Sequence, residues 1–173
     1  MAVLFIRSLK LSSACFQKLP IASWLQPACG GMILGLLGLL TIMITGLVDV
    51  PSFYGNGYPV ITDLLDPSTY LIPETGTITL WTLVATVALL LVLKVVGTSL
   101  TLGSGGAGGM FAPSLLIGAA LGGLLGLILE SIGWLPHGSP AHLALVGMAA
   151  VLAGTTHAPL TAILIVYELT RSY

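Results

Sequence analysis

The chain has 173 residues, 56% of them hydrophobic and only 6% charged, with a mean hydropathy of +1.08 and a formal net charge of −1. So few charges cannot clothe a water-soluble globule of this size, so the solvent is lipid and an all-α, multi-pass integral membrane protein is expected. Five scattered cations exclude nucleic acid as a partner, because phosphate binding needs clustered Lys and Arg.

Met1 to Leu19 is apolar with Arg7, Lys10 and Lys18 interspersed, and it ends at Pro20. A signal peptide carries its cations before the apolar region, whereas here they lie inside and after it, so residues 1–19 read as the tail of a membrane helix. Cys15 and Cys29 sit in apolar context and read as small hydrophobes, implying neither a disulfide framework nor a metal site. Ala28 to Val48 is an uncharged run of 21 residues. At the helical rise that is about 31 Å, the thickness of a bilayer core, so it is expected to span. Gly31 and Gly35 lie four apart on one face and mark a packing surface.

Residues 49–75 break the pattern with Asp49, Asp63, Asp66, Glu74, four prolines and the run Phe53-Tyr54-Gly55-Asn56-Gly57-Tyr58. They read as a polar connection outside the hydrocarbon, with one short helix near Val60 to Leu65. The cations precede the first span and the acids follow it, so the positive-inside rule puts the basic side in the cytoplasm and the connection outside, in a plasma or inner membrane.

Gly76 to Leu102 is the second span, with Trp81 as an interfacial anchor and Lys94 as its single charge. Two roles stand open for Lys94. Its four-carbon stem can snorkel to the interface, or its charge can face an anion path beside the glycine loop that begins nine residues later. Met110 to Leu129 is the third span, with Gly118, Gly122 and Gly126 on a face expected, like Gly31 and Gly35, to contact segments outside this chain. Residues 130–141 are expected to form a loop that holds His137, with His142 close after, and no acid or cysteine accompanies the histidines at ligand spacing, hence no metal. The last two apolar runs, 142–153 and 159–169, are each too short to cross about 30 Å of hydrocarbon. With Gly154-Thr155-Thr156-His157 between them, they read either as re-entrant half-helices or as a packing hairpin.

Between the second and third spans lies Gly103-Ser104-Gly105-Gly106-Ala107-Gly108-Gly109-Met110-Phe111-Ala112-Pro113. Its side chains are nearly absent, its backbone is open, and Pro113 marks a first helical turn whose free N–H groups suit an anion. Gly103, Gly105 and Gly108 also spell a dinucleotide fingerprint, with Glu130 downstream. That fold needs a short strand before the loop and a second strand after the helix, and a long apolar run stands in each place. Ser/His/Asp, paired-carboxylate and P-loop constellations are also absent from the sequence, so an enzyme is not expected.

Gly109-Met110-Phe111-Ala112-Pro113 resembles the Gly-x-Phe-x-Pro signature of the CLC family of chloride channels and proton-coupled chloride transporters. Leu145 to Thr170, with Gly147-Met148-Ala149-Ala150, His157-Ala158-Pro159-Leu160-Thr161 and Tyr167-Glu168-Leu169-Thr170, is similar to the helix pair that follows it there. The resemblance implies a membrane homodimer with one anion pathway per subunit, chloride as ligand, protons as a second partner in the exchangers, and no cofactor. It implies that the backbone N–H groups of Met110 and Phe111 bind the ion. Gly105, Gly106, Gly108, Gly109, Ala112 and Pro113 would shape the site, and Lys94 would add an electrostatic contribution only in the second of its two open roles. The family's serine segment, gating glutamate and ion-contacting tyrosine have no counterpart here, and Tyr173 is not that tyrosine, so an incomplete membrane domain is expected. Anion transport by a channel or exchanger and a non-transporting, truncated or structural membrane fragment both stand as readings.

Overall fold

The computed structural model describes residues 1–45, 52–70, 80–136 and 138–171. Asp49, Glu74, His137 and Tyr173, and the expected span ends at Val48 and Gly76, lie outside them. All regular structure among the described residues is helical: α1 (Ala2–Gln17), α2 (Gln26–Thr45), α3 (Tyr58–Leu65), a 3-10 turn (Pro67–Tyr70), α4 (Leu80–Gly103), α5 (Phe111–Ser131), α6 (Ser139–Thr156) and α7 (Pro159–Arg171).

Four of these, α2, α4, α5 and α6, are long and apolar enough to cross a membrane, one more than the three expected. The difference is α6. Expected to stop at Ala153, it runs for 18 residues to Thr156, about 27 Å at the helical rise. Two features extend it. Pro140 is accepted in the first turn, where its missing N–H loses nothing. Thr155 and Thr156 turn their hydroxyls back onto the Leu152 carbonyl, at 3.0 and 2.8 Å, so their polarity is satisfied inside the helix. The irregular backbone shrinks to His157, in the left-handed region at φ 56°, and Ala158. Glu130, expected in a loop, belongs to the last turn of α5, and His142 lies in the first turn of α6.

The core forms around α5. Leu115, Leu116, Ala119 and Ala120 are wholly buried there in one cluster with Ala144, Met148 and Leu152 of α6, and Ile117 is wholly buried in a second with Val151. Gly118, Gly122 and Gly126 do not await a partner from elsewhere. A Cβ on any of them would strike the α6 backbone, at Gly147, Leu143 and Pro140 respectively. Lipid offers no hydrophobic drive for helix association, so contact between backbones must supply the attraction, and small residues make it possible. Gly31 and Gly35 on α2 differ, with nothing within 4 Å of a Cβ placed there.

Helix α1 lies against α4, where the Ser8 and Ser99 hydroxyls meet at 3.0 Å, and it buries Phe5 beside Ile117 and Val151. Residues 53–70 are more than a polar connection. They fold back onto α4 and α5, burying Phe53, Ile61, Leu64 and Tyr70, and the Tyr70 hydroxyl donates to the Leu64 carbonyl at 2.7 Å. Burial pushes the Tyr70 hydroxyl above its usual range. Asp66, fully exposed, is held below the usual carboxylate range because it accepts hydrogen bonds from Ser68.

Replacing Gly122 with leucine is expected to overpack the α5–α6 contact and cost about 1–3 kcal/mol or more. Gly31→Leu, on the open face of α2, is expected to leave the melting temperature unchanged. Thermal melts of both variants in one detergent check this.

Candidate functional site

The glycine run divides into two halves with different work. Gly105, at φ 84°, donates its N–H to Leu102 (3.1 Å), and the N–H of Gly106 donates to Thr101 (2.9 Å). This paired, left-handed closure satisfies two of the carbonyls left open at the end of α4. The N–H groups of Gly105 and Gly106 are therefore spent on α4. From Gly108 to Ala112 the backbone N–H groups have no acceptor among the described residues. Met110 precedes α5, Pro113 is its third residue, and the first bond back to this turn is Ser114 N–H to the Met110 carbonyl at 3.0 Å. The turn thus presents open donors at the positive end of a helix dipole.

That turn opens on a cavity of about 620 Å³ walled by α2, α4, residues 53–58 and the loop itself. Gly108, Gly109, Phe111, Ala112 and Pro113 line it, and so does Lys94. Lys94 does not snorkel outward. It is 2% exposed, and its Nζ donates to the carbonyls of Phe53 at 3.0 Å and Gly55 at 2.8 Å. No carboxylate pairs with it among the described residues, and neither Asp nor Glu is found in the described lining. A lysine charge, a helix N-terminus and open amides with no opposing acid form an environment suited to an anion.

The whole of residues 1–173 matches the family model described as voltage gated chloride channel. The chain belongs to the voltage gated chloride channel family. It is similar to the putative chloride channel protein ClcB-like of Ralstonia nicotianae (strain ATCC BAA-1114 / GMI1000), with 40% identity over 160 residues, covering 91% of this chain and 32% of that protein. It is likewise similar to the voltage-gated ClC-type chloride channel ClcB of Escherichia coli O81 (strain ED1a), with 37% identity over 171 residues, covering 95% of this chain and 35% of that one. The chain thus spans about a third of the length of the curated relatives it matches. No solved structure matches it.

Within this member of the chloride channel family, the site residues named from sequence are only partly brought together. Lys94, Gly108, Gly109, Phe111, Ala112 and Pro113 share the cavity; Gly105, Gly106 and Met110 are not among its lining residues. Met110 leaves its side chain half exposed. Sequence reasoning missed Phe53, Tyr54 and Gly55, which line the cavity from the connection. It also missed Thr98, whose hydroxyl faces no partner among the described residues. The available signal was the pair Gly55 and Gly57 set among aromatics, since both adopt positive φ and turn the chain back toward α4.

Gly105→Ala is expected to lower stability by about 1–2 kcal/mol, because a Cβ is penalised at positive φ. Gly109→Ala, with open space around it and no positive φ, is expected to cost less. Parallel thermal melts of the two variants measure the difference.

Proposed function

We propose that the chain supplies part of a chloride pathway, and that the whole protein moves chloride across a membrane as a channel or a proton-coupled exchanger. The observation that carries this is the cavity, its described lining without Asp or Glu, on which the start of α5 and Lys94 both open. Family membership and relatives named as chloride channels support it. In this reading the N–H groups of Met110 and Phe111 hold the ion. Amide donors compensate lost hydration while remaining neutral overall, so the ion is bound and can still leave. Gly108 and Gly109 keep side chains away from it, Phe111 walls the path, Pro113 sets the first turn of α5, and the Lys94 charge raises the local anion concentration. The same reading gives the whole protein a homodimeric assembly with one pathway per subunit. Protons are a second substrate if it is an exchanger, no cofactor is needed beyond the chloride, and the work is transport rather than catalysis.

Met110→Pro removes one N–H at a position where no backbone acceptor depends on it. A hydrogen bond to a charged partner is worth about 1.5–3 kcal/mol, so chloride affinity in the whole protein is expected to fall about ten- to a hundredfold relative to Met110→Ala. Isothermal titration with chloride measures it. Equal affinities in two folded variants would remove the Met110 amide from the site.

A further inference from the structure

We propose that Lys94 is the positioning residue of this cavity: its ammonium clasps the Phe53–Gly57 segment to the middle of α4 and holds that segment in place as a cavity wall. What the cavity contains rests on the chloride reading above; the clasp itself rests on hydrogen bonds within the chain.

Three observations converge on it. Lys94 lies about 21 Å along α4 from Leu80 at the helical rise, far from either end, and it is almost fully buried. A charge at that depth needs polar partners, and the described chain supplies two backbone carbonyls and no carboxylate. The carbonyls need the lysine equally. Those of Phe53 and Gly55 have no other hydrogen-bond partner among the described residues, and Phe53 is buried, where an acceptor without a donor is costly. Finally, the geometry is built to bring them together. Gly55 (φ 65°) and Gly57 (φ 81°) turn the segment, while Gly97, one turn beyond Lys94, leaves room for the Phe53 ring, 3.4 Å from where a Cβ would stand. Besides the lysine, the segment is tied by the Tyr54 hydroxyl, which donates to the Leu34 carbonyl on α2 at 2.6 Å.

The lysine therefore does two things at once. It completes a wall from segments that are more than thirty residues apart in sequence, and it does so with a charge that remains unneutralised by any described acid. A neutral residue of similar length loses both; arginine keeps the charge and the donors.

The test uses the whole protein in detergent and reads two quantities. Chymotrypsin cleavage after Phe53 and Tyr54 reports whether the segment is clasped, since Phe53 is buried and Tyr54 half-buried in the closed form. Isothermal titration reports chloride affinity. Lys94→Met is expected to speed cleavage and weaken chloride binding, each about tenfold or more, and Lys94→Arg to restore both to within about twofold. Should Lys94→Met fail to fold, Gly55→Ala loosens the same turn through its positive φ with the lysine in place. It is expected to raise cleavage severalfold, whereas Gly31→Ala leaves it unchanged. Cleavage that stays slow in Lys94→Met, or in Gly55→Ala where that variant must stand in, overturns the clasp, as does Lys94→Arg behaving like Lys94→Met. Faster cleavage in Lys94→Met, together with a wild-type protein that binds no chloride, leaves the clasp standing and removes the chloride reading instead.

Discussion

A backbone group that leaves its helix inside a membrane must find a partner within the protein, because hydrocarbon offers none. Around the cavity, three places treat their free backbone groups differently. The end of α4 is closed by the N–H groups of Gly105 and Gly106. The carbonyls of Phe53 and Gly55 are met by Lys94. At the start of α5 the N–H groups from Gly108 to Ala112 keep no acceptor among the described residues. That turn keeps backbone donors beside the cavity, an arrangement suited to a negative charge.

Packing makes this arrangement hold its shape. Helix α5 can present its first turn to the cavity because the rest of it is fixed against α6 by a stripe of glycines that lets the two backbones touch. Its first turns are tied down as well. Ser114 is wholly buried and returns its hydroxyl to the Phe111 carbonyl at 2.7 Å, and Leu115 and Leu116 are buried directly after it. A donor array set on such a helix is preorganised, so binding an ion there does not require the turn to be ordered first. The wall opposite depends on a different kind of bond, a charged side chain holding otherwise unpaired carbonyls.

How far the sequence could be read depends on the range of the interactions concerned. Within the three expected spans, residues 28–45, 80–102 and 111–129 lie in helices, because a long uninterrupted apolar run in lipid must satisfy its backbone within itself. The length of α6 was misjudged because Thr155, Thr156 and Pro140 look like breakers in one dimension. The two threonines bond to their own helix, and the proline sits in its first turn. The Gly118/Gly122/Gly126 face was legible as a packing surface, but its partner was not, since glycine spacing records closeness without recording to what. Lys94 was legible as an anomaly. Its environment is supplied from about forty residues earlier in the chain, and local sequence carries no mark of that.

By itself the sequence determined that this is a helical membrane protein, that its glycine-rich turn opens a helix with unpaired donors, and that it has the signature of the voltage gated chloride channel family. These follow from composition, run length and a local motif, each of which acts within a few turns of chain. The tertiary structure alone decided which glycines cap α4 and which open toward α5, that α6 closes over α5, and that residues 53–57 return to Lys94 as a wall of the same cavity. Those depend on contacts between segments distant in sequence, where burial and unsatisfied backbone groups select one arrangement among many that the same local preferences allow.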